Sequence, residues 1–461
     1  MDSMALDEAA LLRDEAEYCS FGDTVHYQEP PKIFTRCEGS FLYDAAETPF
    51  LDLQMWYSAV NFGYGNPRLN NALKRQIDSL PQLASQYLHR EKIELATALA
   101  KRVQRTYGMK GRVHFNVGGS QAIEDSLKLV RNASNGKSLM FAFEGGYHGR
   151  TLGASAITSS YRYRRRYGHF GDRAQFVPFP YCFRCPYGKK REDCGLYCVD
   201  QFARLFDSEY YGVWDPKAGA AEYAAFYVEA IQGTGGYVIP PPGYFEKLKE
   251  VLEARKILLV DDEIQMGFYR AGKFWALENF NVKPDIIVFG KALTNGLNPI
   301  AGLWAREELI NPAAFPPGST HSTFASNPLG TAVALECVKM MGEEDYEAMS
   351  FAKGAYLLAG LKELQHRYPI IGDVDGMGMA LRMEICGTDG FTPDKAMTDR
   401  MCDEAMKGDL EVGGRRYGLV LDIGGYYKNV VTLAPALTID RQEMDLALAL
   451  LDRLLHRVTR R

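Results

Sequence analysis

Short apolar runs alternate with longer helical patterns between about residues 110 and 305. Apolar residues recur at helical spacing between the runs, as in Ile123, Leu127 and Val130. The alternation predicts an α/β fold with a mostly parallel central sheet flanked by helices. Buried strands, rich in Val, Ile and Phe and followed by glycine or polar residues, are predicted at 112–117, 138–143, 225–230, 257–261 and 285–289.

The same pattern predicts the domain organisation of the 461 residues. We expect an N-terminal arm and part of a small domain over 1–60, a large cofactor-binding domain over 61–330, and a C-terminal small α+β domain over 331–461. The acidic, amphipathic N-terminal residues predict a helical arm. One segment, 162–198, is basic, aromatic and rich in cysteine, and it is predicted to be a long insertion rather than a sheet element.

Composition narrows the class of protein. With 46% hydrophobic residues, 24% charged residues and a net charge of -5, the chain is expected to be soluble and globular and not to bind nucleic acid. No apolar run approaches the ~18 residues of a membrane span, so no membrane association is expected. Nine cysteines, an odd number, favour a reducing compartment over a disulfide framework, and the cytoplasm is the expected location.

Ligands in open α/β sheets bind outside the carboxyl ends of the strands, where three chemically active segments occur. The GGSQ segment at 118–121 opens a helix, and its glycines and free N–H groups suit a phosphate. Lys291 follows a buried apolar run, and burying a charged amine is costly. The cost is avoided if the amine is paired with a negative charge, used in a covalent bond, or extended to the surface. A Schiff base with a carbonyl cofactor is the main use of such a lysine, and an ionised Asp262 would keep a pyridine ring electron-poor. Together they predict one pyridoxal 5′-phosphate site.

Six ordered segments then make the resemblance specific. Over about residues 40 to 440, the chain resembles the class III aminotransferases. That resemblance implies the type I fold of pyridoxal phosphate enzymes and a homodimer whose active sites are shared between subunits. The segments are VGGSQAIEDSLKLVR (117–131), FEGGYHGRT (143–151), VEAIQGTGGYVIPP (228–241), LLVDDEIQMGFYRAGKFWA (258–276), PDIIVFGKAL (284–293) and STFASNPLG (322–330).

The resemblance also implies roles for single residues. Lys291 matches the Schiff-base lysine, Asp262 the partner of the pyridine nitrogen, and Gln265 the residue beside the ring hydroxyl. Tyr147 matches the aromatic residue that stacks on the ring, and Thr323 the residue that reaches the phosphate of the neighbouring subunit. The remaining cofactor contacts implied by the matched segments are Gly119, Ser120, Gln121, His148 and Glu229, the last as a support of the site.

Two positions depart from the family pattern. Many members that use 2-oxoglutarate carry a glutamate in GEGG and an arginine in NVxR, and this chain has Thr234 and Thr432 in their places. The paired loss makes electrostatic sense, because either charge alone would be unmatched in a closed site. Ordinary 2-oxoglutarate transamination is therefore not expected. The alternative is that an arginine elsewhere replaces the lost contact, with Arg382, Arg415 and Arg416 as candidates.

Two features of the insertion stay open at this stage. The arginine run Arg162, Arg164, Arg165 and Arg166 is either a solvated face or a recognition element for an anionic substrate group. The four thiols within seventeen residues, in C-x2-C-x8-C-x3-C spacing, are free, disulfide-bonded or ligands of a structural metal. They are Cys182, Cys185, Cys194 and Cys198.

The expected activity is that of a pyridoxal-phosphate-dependent aminotransferase acting on an amine or amino acid. Its course would run through a Lys291 aldimine and then quinonoid and ketimine intermediates. The lost switch motivates a non-transaminating alternative of the same family: a racemase or epimerase, a decarboxylase or a carbon–carbon bond-forming biosynthetic enzyme. A scaffold protein without catalysis would have no use for Lys291. Expected substrate-pocket residues are Trp56, Tyr57, Thr234 and Thr432.

Overall fold

A computed structural model describes residues 7–22, 31–168, 170–171 and 174–460. Residues 1–6 and 23–30 of the predicted N-terminal segment, residues 169, 172 and 173 of the predicted insertion, and residue 461 lie outside the described residues. Within the arm a helix forms as predicted, and none of its residues is buried. The helices are α1 Glu8–Tyr18, α2 Met55–Ser58, α3 Pro67–Ser79, α4 Arg90–Tyr107, α5 Gly119–Ala133, α6 Leu152–Ile157, α7 Tyr197–Ala203, α8 Tyr244–Ala254, α9 Glu307–Ile310, α10 Pro328–Glu343, α11 Tyr346–Arg367, α12 Lys395–Ala405 and α13 Arg441–Thr459.

The strands include all five that the apolar runs predict. In chain order they are β1 Phe34–Glu38, β2 Phe41–Asp44, β3 Pro49–Asp52, β4 Gly111–Asn116, β5 Leu139–Phe143, β6 Gln175–Val177, β7 Trp214–Asp215, β8 Ala220–Ala221, β9 Tyr223–Val228, β10 Leu258–Asp262, β11 Ile286–Phe289, β12 Ala301–Arg306, β13 Ile371–Met377, β14 Ala380–Ile385, β15 Leu410–Val412, β16 Arg415–Val420, β17 Asp422–Gly424 and β18 Val430–Leu433.

The largest sheet has seven strands in the order β4-β12-β11-β10-β9-β5-β6. The pairs β11–β10, β10–β9, β9–β5 and β5–β6 are parallel, whereas β12 runs antiparallel to both β11 and β4. The carboxyl ends of β4, β5, β9, β10 and β11 therefore meet at one edge. Helix α5 packs on one face of this sheet through Ile123 and Val130, and α8 packs on the other through Leu248 and Leu252.

Three smaller sheets accompany the large one among the described residues, and the smallest pairs β7 with β8. Strands β1, β2 and β3 form a five-stranded sheet with β16 and β15, which joins chain segments more than 350 residues apart. Strands β13, β14, β18 and β17 form an antiparallel sheet of four. The short loop 425–429 joins β17 to β18 and contacts the segment of Thr234 that follows β9 of the large sheet.

The expectation that 162–198 holds no sheet element is wrong. Strand β6, in the middle of this segment, pairs in parallel with β5 and forms an edge of the large sheet. Its three residues are too few to give a detectable apolar alternation among the surrounding arginines and aromatics. In the part of the chain that the structure describes, no helix has both the length and the apolar character that crossing a membrane requires.

Candidate active site

Lys291, Asp262 and Glu229 lie at the same edge of the large sheet. Asp262 is the last residue of β10, Glu229 follows β9, and Lys291 comes two residues after β11. These three strands are parallel neighbours, and Asp262 is in register with Val288 on β11. The sheet therefore brings together side chains that are 29 or more positions apart in the sequence.

The Lys291 amine is half-buried and makes no hydrogen bond or ion pair with any other described residue. Burial lowers its pKa, and the negative charges of Asp262, Glu229 and Asp422 oppose that shift without cancelling it. The backbone has φ +41° at Lys291, in the region that L-residues occupy at a cost. A neutral, nucleophilic amine is thus favoured at a strained position, as sites of chemistry commonly show.

Asp262 is buried and pairs with His148. Its Oδ2 lies 2.8 Å from His148 Nδ1, and its Oδ1 accepts from the Ile264 N–H at 3.1 Å. Burial lowers the pKa of His148, but the bond to Asp262 and the charges of Asp262 and Glu229 outweigh burial and raise it. The His148 imidazole therefore holds the carboxylate in place, and the carboxylate suits a cationic partner such as a protonated ring nitrogen.

Glu229 connects two loops of the site. Its Oε1 accepts from the Tyr147 N–H at 2.9 Å and its Oε2 from the Gly233 N–H at 3.0 Å. Burial raises its pKa to about 6, although His148 and the two N–H donors act in the opposite direction. Glu229 thus fixes the segment of Tyr147 and the segment of Thr234 relative to β9.

The GGSQ turn supplies uncapped N–H groups at the start of α5. No side chain caps this helix, and Gly119 and Ser120 form its first residues, with Gln121 exposed beside them. A Cβ on Gly149 would lie 2.3 Å from Ser120 Oγ, so the turn packs directly on the YHGR segment. The first turn of a helix with free donors suits a phosphate.

A cleft opens above these residues. It encloses about 1910 Å³ including its opening to solvent, which leaves room for a cofactor and a substrate together. Tyr147 lines it and packs edge-on against Tyr163 at 5.1 Å between ring centroids. Gln265 lines it and donates from Nε2 to the Tyr237 hydroxyl at 3.0 Å. The lining residues are Gly22, Tyr57, Tyr147, Arg150, Arg162, Tyr163, Gly233, Thr234, Gln265, Lys291, Lys395, Asp399, Cys402, Asp422, Ile423, Gly424 and Lys428.

The predicted pocket wall at Trp56 and Tyr57 is a left-handed turn. All four residues of α2 have positive φ, between 46° and 64°. Such a conformation costs roughly 1–2 kcal/mol per residue and must be stabilised from outside. Asp52 Oδ1 accepts from the N–H groups of Gln54 and Met55, at 2.7 Å each, and holds the turn at its start. Tyr57 thereby lines the cleft, whereas Trp56, 53% exposed, packs over Gly296.

The two threonines occupy different layers of the wall. Thr234 lines the cleft, and Thr432 is buried behind it on β18. The Thr432 hydroxyl donates to Asp422 Oδ2 at 2.9 Å, and Asp422 itself lines the cleft. Burial raises the pKa of Asp422, which the bonds from Thr432 and Gln54 and the charge of Lys428 counteract. A carboxyl group therefore stands where the family's arginine is expected.

None of the three alternative arginines lines the cleft. Arg382 is buried on β14 in an ion pair with Glu384, and it donates to the Tyr181 hydroxyl at 2.9 Å. Arg415 and Arg416 are exposed at the β15–β16 hairpin. The idea that one of them replaces the lost arginine is therefore not supported by their positions.

The arginine run divides between two roles. Arg162 lines the cleft, whereas Arg164 donates to the Ser159 carbonyl at 2.7 Å and lies over the Phe176 ring. Arg165 and Arg166 are exposed. Only one of the four guanidinium groups is thus placed to contact a ligand in the cleft.

The four cysteines of the insertion line a separate cavity of about 360 Å³ and are all free thiols. Burial raises the pKa of the Cys198 thiol to about 11. Across 7–22, 31–168, 170–171 and 174–460, no three or more His, Cys, Asp or Glu side chains are grouped so as to hold a metal ion. The cavity lies apart from Lys291, and its residues include Cys182, Cys185, Cys194 and Cys198.

Thr323 is not brought to the cleft. It is exposed on this chain, next to Phe324, whose side chain is 70% exposed. Its segment is tied to the loop after α3 by His321 Nε2, 2.8 Å from Ser85 Oγ, and that loop exposes Tyr87 and Leu88.

Several lining residues carry no prediction from the sequence. Arg150 stands in the FEGGYHGRT segment, so its position next to the stacking tyrosine could have been found there. Asp422, Lys395 and Lys428 offer no such signal, because they reach the cleft only through the packing of the C-terminal elements on the large sheet.

The residues present fit the expected cofactor chemically. The uncapped start of α5 suits a phosphate, and the buried carboxylate of Asp262 suits a protonated ring nitrogen. The unpaired amine of Lys291 suits a carbonyl carbon, and the Tyr147 ring faces the cleft between them.

Comparison with known proteins gives consistent matches. The family model for class III aminotransferases matches residues 24–455. The chain is 33% identical to an alanine/serine racemase of Pyrococcus horikoshii, over 92% of this chain and 85% of that protein. It is 30% identical to an ornithine aminotransferase of Brevibacillus brevis, over 94% of this chain and 95% of that protein. A solved aminotransferase from Bacillus anthracis superposes with a TM-score of 0.85 at 26% identity, covering 99% of this chain and all of that one.

Proposed function

Because the chain belongs to the class III aminotransferase family, we propose that it transfers the amino group of an amine or amino acid, with Lys291 as the proton-transferring base. The observation that carries the proposal is the position in the cleft of an amine of lowered pKa that no other described residue pairs with, two residues after the strand that neighbours the strand of Asp262.

Membership of the family confirms three predictions. The chain is a pyridoxal-phosphate-dependent enzyme of the transferase class, its cofactor is pyridoxal 5′-phosphate, and its α/β architecture is the type I fold. The mostly parallel sheet, with its active groups at one edge, is the part of that fold that the apolar runs predict.

Six residues would contact the cofactor in this proposal. The first turn of α5, at Gly119 and Ser120, would bind the phosphate, and Tyr147 would stack on the ring. Asp262 would face the ring nitrogen, and Lys291 would hold the cofactor covalently. Gln265 would stand beside the ring hydroxyl, and His148 and Glu229 would position Asp262 and Tyr147.

The cofactor, when bound, withdraws electrons from the substrate carbon that bears nitrogen, so that a proton on this carbon becomes acidic. Lys291 then takes that proton at Nζ. Its lowered pKa favours the neutral form, which a base requires. The negative charge of Asp262, kept in place by His148, holds the ring nitrogen protonated. Tyr147, Tyr57 and Thr234 exclude water from one side of the cleft.

Asp422 and Thr432 set the choice of amino acceptor. A 2-oxoglutarate molecule carries two carboxylates, one of which would lie beside Asp422, whereas pyruvate would place only a methyl group there. We expect kcat/KM to be about tenfold or more higher for pyruvate than for 2-oxoglutarate. The second carboxylate of 2-oxoglutarate would meet the carboxyl group of Asp422 and would lack the charge-assisted contact that an arginine gives. Because burial raises the pKa of Asp422, its repulsion grows as pH rises through that pKa, and the preference for pyruvate should grow with it.

Acceptor kinetics at several pH values test this expectation. Asp422→Asn keeps the shape of the side chain but removes its charge. This variant should therefore lower the ratio of kcat/KM for pyruvate to kcat/KM for 2-oxoglutarate, and the ratio should depend less on pH. Asp403→Asn, at an exposed position on α12, is the matched control and should leave the ratio of the two kcat/KM values unchanged. Equal kcat/KM for both acceptors in the natural protein would rule out the role given to Asp422.

A racemase is the second candidate function. It is supported by the 33% identity to an alanine/serine racemase and by the carboxyl group that stands in the expected arginine's place. The decisive experiment supplies single enantiomers of amino acids in deuterated water, with and without pyruvate. Keto product that depends on pyruvate supports transfer, whereas deuterium uptake and loss of optical activity without keto product support racemisation.

A homodimer with shared active sites is part of the proposal. Its support is the exposed apolar surface beside Thr323, formed by Phe324, Tyr87 and Leu88, which a second subunit would cover. In that arrangement Thr323 would contact the phosphate held by the other subunit. Sedimentation velocity and activity of the Phe324→Lys variant, which places a charge on this surface, test it.

A further inference from the structure

We propose that Arg162, Lys395 and Lys428, here called the outer basic cluster, bind an anionic group at the far end of the substrate, most simply a side-chain carboxylate. The inference rests on the proposed function, because it assumes that the cleft takes an amino acid. It adds a substrate class: α-amino acids with a long side chain that ends in a carboxylate.

The cluster is assembled from three separate parts of the chain. Arg162 lies in the single turn Tyr161–Tyr163, which is adjacent to the Tyr147 ring. Lys395 is the first residue of α12, and Lys428 lies in the loop between β17 and β18, with φ +57°. All three line the cleft that contains Lys291. Arg162 and Lys395 are exposed, whereas Lys428 and Lys291 are half-buried, so the first two stand at the mouth and Lys428 lies in the wall of the cleft.

The charges of the cluster are incompletely matched within the described residues. Neither Arg162 nor Lys428 makes a hydrogen bond or ion pair there, whereas Lys395 pairs with Asp399. Asp422 is the second carboxyl group of this part of the cleft and faces Lys428. The three cationic side chains exceed these two carboxyl groups, and Arg150, over the same Tyr163 ring as Arg162, adds to the positive charge that an anionic group would reduce.

The environment of Lys428 agrees with this count. Burial in the wall of the cleft lowers its pKa, Arg162 and Lys395 lower it further, and only Asp422 raises it. Like charges held together without a partner are unfavourable, and a bound anion would relieve the repulsion. The remainder of the arginine run shows the contrast, since Arg164 is bonded to its own loop and Arg165 is solvated.

Asp422 determines how long the substrate must be. Asp422 lines the same cleft as Lys291 and Lys428, and its charge acts on both amines. A short diacid would end beside this carboxyl group and be repelled. A longer side chain would pass it and place its carboxylate between Lys428 and Arg162, whose guanidinium group can bind a carboxylate in a bidentate manner.

The first experiment uses the holoenzyme and matched pairs of amino acids. We expect kcat/KM for 2-aminoadipate, 2-aminopimelate or 2-aminosuberate to exceed that for norleucine, 2-aminoheptanoate or 2-aminooctanoate, respectively, by about tenfold for at least one pair. Lys428→Met and Arg162→Met should each reduce this ratio, and the double variant should abolish it. Arg165→Met, a matched change on the solvated part of the run, should leave the ratio unaltered. A ratio near one, or a ratio that the double variant retains, overturns the proposal.

A second experiment separates this proposal from the proposed function. Calorimetry of the holoenzyme with adipate, pimelate and suberate, against hexanoate, heptanoate and octanoate, needs no amino group and no turnover. Diacid binding about tenfold tighter, and lost in the double variant, supports the cluster even if no amino acid is converted. In that case only the proposed function fails. If amino acids are converted but diacids bind no better than monoacids, the cluster is not an anion site. Melting temperature and cofactor absorbance confirm that each variant is folded.

Discussion

Replacing Lys291 by alanine is expected to lower kcat/KM by about 10²- to 10⁴-fold, the contribution of a positioned general base. In the proposed reaction this amine takes the proton, and the two carboxylates nearest to it in the sheet are already engaged. Asp262 and Glu229 are held by hydrogen bonds to His148 and to the N–H groups of Tyr147 and Gly233. The substitution also removes the covalent attachment of the cofactor, so added amines should not restore full activity.

Borohydride reduction followed by peptide mass mapping gives a readout that does not depend on turnover. The natural protein should carry the reduced cofactor on the peptide with Lys291, and the Lys291→Ala variant should carry none. Lys283→Ala, at an exposed lysine a few residues earlier, is the matched control for the loss of a positive charge. Labelling of any other lysine in the natural protein, or activity retained in the variant, would contradict the assignment.

The strands that build the site were predictable because they are buried on both faces. Their continuous apolar runs stand out from the rest of the chain, and the polar residue that ends each run is marked by contrast, as with Asp262 and Lys291. Strand β12 was missed although it is fully apolar in its first five positions. It follows the Lys291 turn closely and runs antiparallel, so the strand–helix alternation gives no signal for it.

The outer part of the cleft was not predictable for a different reason. Lys395, Asp422 and Lys428 come from the last seventy residues and meet Arg162 only in the folded chain. Polar residues on a helix or in a hairpin normally face solvent, and nothing in their spacing distinguishes them from their neighbours. The sequence predicts that Thr432 stands where the family has an arginine, but it gives no sign of the carboxyl group that accepts from the Thr432 hydroxyl. That group is on another strand of the same small sheet.

Asp262→Asn is expected to lower kcat/KM by about 10²- to 10³-fold, the scale seen when one preorganised electrostatic group is removed. Asparagine has the size of aspartate and can still accept from the Ile264 N–H, so the fold should persist. What disappears is the negative charge that keeps a ring nitrogen protonated. The same charge raises the pKa of His148 and of Lys291, so both pKa values should fall in the variant.

Asp261→Asn provides the matched control, one residue away on the same strand. Burial and the neighbouring Glu263 raise the pKa of Asp261 well above its ordinary value, so this carboxyl group holds its proton more firmly than an exposed aspartate does. It points to the opposite face of β10, away from the cleft. Steady-state kinetics and cofactor affinity should therefore separate the two variants by at least about tenfold. If both variants lose activity equally, the loss comes from a disturbed strand β10, and the role given to the charge of Asp262 is wrong.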